Sequence, residues 1–296
     1  MVMDDLIVSI FCLIDDAVKA LPLPRLRPSG PAPKLADSEV LAIQVAGELL
    51  GMDQDQAIFR HFRAHYRHFF PALGRINRTT FVRQAANLWK LEQKVHQHLV
   101  AQLCQPDEPL WLVDSLPLAV CRFARAKACK RLAGSADYGY DALARHTYYG
   151  LRLHLRTNAQ GVIGQVQLTP ASVPDIFAAS DLTPPQPADG IGDRAYWSPQ
   201  HAPRLAARGW RLWAPFHKRA SDPQPQFSAL LMRVRRIIET VNSQLVERFH
   251  TKRIWARDLW HLGHRLIRKV LSHTTALLLN RRHDAELLQI APLVNE

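Results

Sequence analysis

Three carboxylates in this sequence, Asp114, Asp193 and Glu239, are of the type and spacing that could do chemistry together. Asp114 closes the apolar stretch Leu110-Trp-Leu-Val-Asp-Ser115, and Asp193 closes the short stretch Gly190-Ile-Gly-Asp193. Clustered carboxylates repel one another and stay ionised together only if cations bind. Ligand sets made only of oxygen select Mg²⁺ or Mn²⁺. Two such ions about 3.5–4 Å apart can activate a hydroxyl and stabilise the leaving oxygen of a phosphoryl transfer.

Each of these residues also has a purely structural interpretation. Asp114 can end a strand at a turn, Asp193 can form an Asx-turn, and Glu239 can lie on the solvated face of a helix. The choice between the two interpretations depends on whether the surrounding elements bring the three side chains together.

A basic run follows Asp114 closely, at Arg122, Arg125, Lys127, Lys130 and Arg131. We expect these side chains to contact DNA phosphates, which gives salt-dependent binding that is blind to sequence. The alternative is a solvated loop. The whole chain has 38 Lys and Arg against 26 Asp and Glu, a net charge of +12. Excess positive charge attracts polyanions, so nucleic acid is the first candidate partner.

Composition excludes several other classes of protein. With 296 residues, 47% of them hydrophobic, the chain can bury a sizeable core in one large or two ordinary domains. The four cysteines form no CxxC pair, which favours reduced thiols in a cytoplasmic protein. Residues 6–14 are apolar but are flanked by aspartates, so we expect neither a signal peptide nor a membrane span. A membrane surface is the second candidate partner for a basic protein, but we find no basic amphipathic helix with a bulky apolar face that would support it.

The first 105 residues are predicted to form an all-α region. Apolar spacing and breakers indicate helices over residues 1–21, 38–51, 55–70 and 77–103, with a proline-rich linker over residues 22–33. Short helices with a basic second face fit a helix-turn-helix-like DNA-binding region, although a bundle that only packs on its neighbour fits the pattern too.

From residue 109 the apolar periodicity changes to that of strands. We predict strands over residues 110–115, 147–156, 162–169, 190–193 and 210–215, and an ordered loop over residues 122–145. Helices are predicted over residues 175–180, 198–208, 227–250 and 259–281. The last of these has one basic face, which includes Arg268 and Lys269. Trp197, Trp255 and Trp260 are interpreted as core or packing residues rather than as base wedges.

This order of elements predicts an α/β domain over residues 106–296, a ribonuclease-H-like five-stranded mixed sheet flanked by helices. In that topology the first and fourth strands are neighbours, so Asp114 and Asp193 converge. The helix after the fifth strand can then bring Glu239 beside them. We assign Asp114 to bridge two Mg²⁺ ions, Asp193 to hold the first and Glu239 to hold the second.

Several motifs in this domain resemble those of the DDE transposases of bacterial insertion sequences, most closely the group designated nine-eighty-two. The similar segments, in order from about residue 109 to 250, are Val113-Asp-Ser-Leu-Pro-Leu118, Ala136-Asp-Tyr-Gly-Tyr140, Tyr149-Gly-Leu-Arg-Leu-His-Leu155, Gly192-Asp-Arg-Ala-Tyr196 and Arg236-Ile-Ile-Glu-Thr-Val-Asn-Ser-Gln-Leu245. The resemblance implies that Asp114, Asp193 and Glu239 are the DDE triad. It also implies an enzyme that cuts element ends and uses the freed 3′-hydroxyl to attack target DNA.

The chain departs from a related transposase signature, which places Tyr, Arg, Glu and Lys at fixed offsets around the catalytic Glu. Arg235 and Glu239 match it, and Arg235 is predicted to contact DNA, but Met232 and Val246 occupy the Tyr and Lys positions. A cation that grips the element end must then come from elsewhere, with Arg248 and Lys252 as candidates. Glu247, about 80° round the helix from Glu239, is a reserve candidate for the third ligand.

The sequence therefore predicts a cytoplasmic, nucleoid-associated DDE transposase that uses two Mg²⁺ ions, with Mn²⁺ as a substitute. Its partner is double-stranded DNA, both the inverted repeats of the element and the target. The resemblance also implies a homo-oligomer, at least a dimer, because two ends must be joined. The alternatives are a structure-selective metal-dependent nuclease and a decayed, non-catalytic DNA-binding protein.

Overall fold

The computed structural model describes residues 2–22, 31–216 and 222–294. The chain divides into two compact units. The first contains residues 1–103, 247–251 and 260–296, and the second contains residues 104–246 and 252–259. Most of the predicted proline-rich linker lies outside the described residues.

The first unit begins with five helices: α1 (Met3–Ala20), α2 (Asp37–Leu49), α3 (Asp55–His65), α4 (Arg78–Asn87) and α5 (Trp89–Leu103). At the start of α2 the backbone N–H of Ala36 donates to the Glu39 carboxylate at 2.6 Å, and Gly51, with a φ of +79°, follows its end. The predicted all-α N-terminal region is thus confirmed. Two boundaries were wrong: the predicted helix over 55–70 ends at His65, and the one over 77–103 is interrupted at Leu88.

The second unit is built on a six-stranded mixed sheet of β1 (Leu110–Ala119), β2 (Asp137–Asp141), β3 (His146–Asn158), β4 (Ile163–Pro170), β5 (Ala188–Ile191) and β6 (Trp210–Trp213). The strand order is β2-β3-β1-β5-β6, and β4 also pairs with β3. The helices α6 (Asp175–Ala179), α7 (Ala202–Ala206), α8 (Pro225–Val234) and α9 (Arg236–Glu247) accompany it. The predicted ribonuclease-H-like α/β class is confirmed.

The sheet corrects two predictions. Residues 137–141, expected within a loop, form the edge strand β2, which pairs antiparallel with the first residues of β3. The alternation of Tyr138 and Tyr140 with small and acidic residues is too short to identify a strand by periodicity. β1 also runs four residues beyond its predicted end. Pro117 is tolerated there because β1 pairs with β5 only through Leu110–Leu112 and has β3 alone as a partner further on.

The register of β1 and β5 places Asp114 and Asp193 at the same level. The two strands are parallel, with Leu110 beside Asp189 and Leu112 beside Ile191. Asp114 lies two residues beyond Leu112, and Asp193 lies two residues beyond Ile191. Since parallel neighbours advance together at about 3.3 Å per residue, the two aspartates leave the paired segment side by side.

An apolar cluster of the second unit lies next in sequence to three aspartates. It contains Val113, Ile176, Ala179, Leu182, Tyr196, Leu205 and Trp210, each at most 9% exposed. Val113 precedes Asp114, Ile176 follows Asp175, and Tyr196 comes three residues after Asp193. Packing of α6 and of the turn after β5 against β1 therefore fixes the backbones that carry these carboxylates.

The last helix, α10 (Leu259–Arg282), supplies buried cations to the first unit. Arg268 and Lys269, on the basic face predicted for this helix, are 0% and 1% exposed. Both contact the buried carboxylate of Glu48, at 2.6 and 2.9 Å. Periodicity identified the basic face but could not show that an acidic partner covers it. Residues 260–296, expected with the sheet domain, belong to the first unit.

No helix within the described ranges is both long and apolar enough to cross a membrane.

Candidate active site

Asp114 lies in the middle of β1 and receives three polar contacts. The Asn242 side-chain N–H donates to its Oδ2 at 3.0 Å, and a guanidinium nitrogen of Arg235 is 3.1 Å from the same oxygen. Its Oδ1 accepts the backbone N–H of Ser115 at 2.9 Å. The Asp114 side chain is 17% exposed and that of Arg235 is 9% exposed. The carboxylate is thus held in a fixed orientation at the surface of the core.

Asp193 begins a short 3₁₀ turn over residues 194–196, just beyond β5. Its Oδ1 accepts the backbone N–H of Ala195 at 2.9 Å, which caps this turn. The predicted Asx-type role of Asp193 is therefore real, and it coexists with the position beside Asp114. Burial, followed by the negative charge of Asp175, raises the pKa of Asp193, while Arg235 and the Ala195 N–H act to lower it.

Glu239 is one helical turn beyond Arg235 and is joined to Asp114 through it. The Glu239 Oε1 atom is 3.4 Å from one guanidinium nitrogen of Arg235, whose other nitrogen contacts Asp114. The Glu239 side chain is 55% exposed. The predicted single helix over 227–250 is two helices. Arg235, the residue between them, keeps helical backbone angles, and its carbonyl accepts the Glu239 N–H of the second helix at 3.2 Å. The guanidinium thus bridges two of the three predicted ligands.

The electrostatics around Asp114 favour a bound cation. Burial raises its pKa to about 7, with a further contribution from the charges of Asp193 and Asp175, against the lowering by Arg235 and the Ser115 N–H. A carboxyl that binds a proton this readily carries unbalanced negative potential when it is ionised. An added cation would exchange with that proton.

Two residues near this site were not chosen from the sequence. Asp175, at the start of α6, is 6% exposed, accepts the Arg152 guanidinium at 2.7 Å, and contributes to the raised pKa of both Asp114 and Asp193. Asn242 lies seven residues after Arg235 on the same helix face, a spacing that could have identified it. The sequence contains no comparable signal for Asp175.

The oxygen ligands at Asp114 and Asp193 fit a divalent cation, whereas the Glu239 carboxylate contacts Arg235 and is not grouped with the two aspartates. The two half-buried aspartates supply hard oxygen ligands, and the buried Oδ1 of Asn242 has no hydrogen-bond partner among the described residues. Within the same ranges, no three His, Cys, Asp or Glu side chains are grouped as metal ligands. The Arg235 guanidinium supplies positive charge between Asp114 and Glu239.

The residues predicted to contact DNA fall into two groups: cations at or near the surface, and the arginines Arg235 and Arg248, which contact other groups of the protein. Arg122, Arg125, Lys127 and Lys130 are exposed and Arg131 is half-buried, on and beside a 3₁₀ turn over residues 123–128. Lys252 is exposed and 3.9 Å from Asp141. Arg235 is buried against carboxylates. Arg248 donates to the Leu49 carbonyl at 3.1 Å, and burial lowers its pKa.

Residues 106–254, half of the chain, match the family described as Transposase DDE domain. The chain belongs to this family. It is therefore a DDE transposase, a member of a class of enzymes that act on DNA. A comparison with curated proteins finds no match.

Proposed function

We propose that this protein is an insertion-sequence transposase of the nine-eighty-two group. It cuts the ends of its element and joins the freed 3′-hydroxyl strand to target DNA. The observation that carries the proposal is the pair Asp114 and Asp193. They lie side by side just beyond the paired segment of the parallel strands β1 and β5, and Arg235 links Asp114 to Glu239. Membership of the DDE family supports the assignment of these three carboxylates as the triad.

Asp114, Asp193 and Glu239 would hold two Mg²⁺ ions, or Mn²⁺ in their place. Such ions activate a hydroxyl and stabilise the leaving oxygen of a phosphodiester. Asp114 would be the central ligand, because it lies beside Asp193 in the register of β1 and β5 and is linked to Glu239 through Arg235. For Glu239 to join them, its carboxylate must leave the Arg235 guanidinium, which is then available to a phosphate. Arg235 can therefore pair with Glu239 in the protein alone and still contact DNA, as predicted, once Glu239 binds metal.

The protein's own groups prepare this site. The Asn242 amide and the Ser115 N–H hold the Asp114 carboxylate in one orientation, so that its oxygens need not reorganise during the reaction. Arg152 neutralises Asp175, which limits the negative charge close to the two ligands. The Ala195 N–H fixes Asp193 in the same way.

Double-stranded DNA is the proposed partner, both as element end and as target, and the site of action is the bacterial nucleoid. The exposed cations Arg122, Arg125, Lys127 and Lys130 support contacts with phosphates. The N-terminal region, residues 1–105, is proposed as a further, helix-turn-helix-like DNA-binding region. At least a dimer is needed because two ends must be brought together before they are joined.

A strand-transfer assay with paired element ends and Mg²⁺ tests this function. We expect Asp114→Asn and Glu239→Gln to lower the rate of both cleavage and joining by about 100-fold or more, since metal ligation supplies several kcal/mol of transition-state stabilisation. Glu247→Gln is the matched control, because Glu247 is an exposed carboxylate at the end of the same helix.

The outcomes separate the rival functions. Cleavage without any joined product would make the protein a nuclease. Loss of activity in Glu247→Gln but not in Glu239→Gln would move the third ligand to Glu247. Activity that is unchanged in both Asp114→Asn and Glu239→Gln would reject the catalytic assignment.

A further inference from the structure

A cavity of about 1020 Å³ in the second unit is lined by cations and one aromatic ring. The lining residues that matter here are Arg122, Arg125, Lys130, Arg131, Trp255 and Arg257. None of the carboxylates Asp114, Asp193 and Glu239 lines it. Five positive charges around one concavity favour a ligand with more than one negative charge.

Trp255 makes this cavity different from an ordinary basic patch. Its side chain was interpreted from the sequence as a packing residue, yet it is 67% exposed. The guanidinium carbon of Arg131 lies 5.0 Å from the centre of its ring, a cation–π contact that orients both side chains. A large indole held at the surface among several cations is the combination on which unpaired bases stack in single-strand-binding proteins.

The size of the cavity selects among forms of DNA. Pockets of about 300–1,000 Å³ hold single small molecules. A duplex, whose major groove alone is about 12 Å wide, does not enter a space of this volume. A single nucleotide does enter, with its base available to an aromatic ring and its flanking phosphates available to cations.

The chain also limits how far this cavity can lie from the carboxylates. Cys121 lines the cavity and is seven residues after Asp114. At about 3.3 Å per residue the backbone spans at most about 23 Å between them. This is less than one duplex turn of about 34 Å. A strand with one phosphodiester at Asp114 can therefore reach the cavity within a few nucleotides.

We propose that this cavity binds one unpaired nucleotide of the DNA substrate, with the base against Trp255 and the adjoining phosphates held by Arg122, Arg125 and Lys130. The proposal rests on the proposed function for the identity of its substrate as DNA. It changes the role of the basic run from sequence-blind contacts along a duplex to recognition of a local, unpaired DNA structure.

Binding of three DNA probes without metal tests the proposal, because no cleavage then complicates the measurement. The probes are a blunt duplex, the same duplex with three unpaired 3′ thymidines, and the same duplex with three abasic sites in place of those thymidines. We expect the thymidine probe to bind about tenfold more tightly than the blunt duplex, the gain typical of one stacked base. The abasic probe should lose most of that gain.

Variants then assign the gain to Trp255. Trp255→Ala should bind the thymidine and abasic probes equally, whereas Trp255→Phe should keep most of the difference. Trp213→Ala is the control, since Trp213 is also an exposed tryptophan of the second unit and does not line the cavity. Equal binding of the thymidine and blunt probes by the wild-type protein would overturn the proposal. So would a gain that survives in Trp255→Ala.

Thiol protection gives a second readout that does not depend on duplex binding. Cys121 and Cys129 line the cavity, whereas Cys12 is an exposed thiol in the first unit. Bound thymidine probe, or a single-stranded oligothymidylate, should slow maleimide labelling of Cys121 and Cys129 several-fold and leave Cys12 unchanged. Failure to bind any duplex would count against the proposed function. The cavity would then be judged by oligothymidylate alone, where protection supports the proposal and its lack overturns it.

Discussion

Two side chains on one helix face determine the surroundings of Asp114. Arg235 and Asn242 are seven residues apart, which places them within about 20° of each other around the helix axis. One gives Asp114 a positive charge and the other gives it a hydrogen bond. The charge of Arg235 should therefore stabilise the ionised Asp114 carboxylate more than the hydrogen bond from Asn242 does.

Arg235→Gln is expected to make the protein depend on divalent cations for its stability. The guanidinium opposes the raised pKa of Asp114, so without it that pKa rises further. At pH 8 Asp114 then keeps only the hydrogen bonds from Asn242 and the Ser115 N–H and has no cation beside it, so the free energy of unfolding should fall by about 3 kcal/mol in EDTA. Mg²⁺ should restore more stability in the variant than in the wild type, as measured by thermal unfolding with and without Mg²⁺.

Arg236→Gln is the control for this experiment, because Arg236 is the neighbouring arginine and is exposed. It should unfold like the wild type in both buffers. An equal response of wild type and Arg235→Gln to Mg²⁺ would show that the guanidinium and the metal do not substitute for each other.

His154 should make the second unit less stable in mild acid. Burial, with the charge of Arg152, lowers its pKa to about 4, against the raising by Asp181. Its Nε2 lies 2.8 Å from the Thr169 hydroxyl, and its Nδ1 is 3.7 Å from Asp175. A pKa below the unfolded value of about 6.5 means that stability is complete above pH 6.5 and is lost as the pH falls towards 4.

Between pH 7.5 and pH 5 this loss is expected to be about 2 kcal/mol, since the unfolded histidine binds a proton in that range and the folded one does not. Urea unfolding at the two pH values measures it. In His154→Gln the difference between the two pH values should be smaller by that amount. If the variant kept the full pH dependence, other groups would be its source.

At the scale of elements, helices and strands with a repeating apolar pattern could be predicted from the sequence. Elements that depend on contacts with another part of the chain could not. The alternation in β3 and β4 and the apolar stripes of α1 and α10 identified those elements from the sequence. The interruptions at Leu88 and Arg235 were missed because neither residue is a glycine or a proline. β2 was missed because it exists only through its pairing with β3. Asp114 and Asp193 could be placed together because the strand order follows from the repeating patterns. Asp175 could not, because its position near them depends on how α6 packs against the sheet.

The pairing of β1 with β3 depends on a glycine in β3. Gly150 lies opposite Ala119, and a Cβ atom there would lie on the carbonyl oxygen of Leu118. Gly150→Ala should therefore separate the two strands and destabilise the protein by about 3 kcal/mol or more. Chemical unfolding of the purified variant measures this loss.

Gly263→Ala is the matched control with the opposite expected sign. Gly263 lies within α10, and a Cβ atom there would meet nothing within 4 Å. Alanine in a helix interior is favoured over glycine by about 1 kcal/mol, so this variant should be more stable than the wild type. Destabilisation by both substitutions to a similar extent would mean that backbone contact at Gly150 is not the cause.

At the scale of the whole molecule, the last helix completes the unit that the first helices begin. Three buried carboxylates of the N-terminal helices, on Glu48, Asp55 and Glu92, contact α10. Arg268 contacts both Glu48 and Asp55, and its Nη2 also donates to the Asp53 carbonyl at 2.9 Å. His264 is 3.2 Å from Glu92. Charges buried in this way are tolerated only while their partners are present.

A fragment of residues 1–105, the region predicted to bind DNA, should therefore not fold by itself. Without α10 it would retain Glu48, Asp55 and Glu92 in its interior with no cation beside them, and breaking one such pair already costs about 3–5 kcal/mol, a large part of the stability of a domain. Circular dichroism should show helical signal without a cooperative thermal transition. The same fragment joined by a flexible linker to residues 247–296 should regain that transition, because the linker returns Arg268 and Lys269 to Glu48. Cooperative melting of the short fragment would show instead that the apolar contacts among α1–α5 suffice, and that the buried ion pairs are not what makes the two ends of the chain fold together.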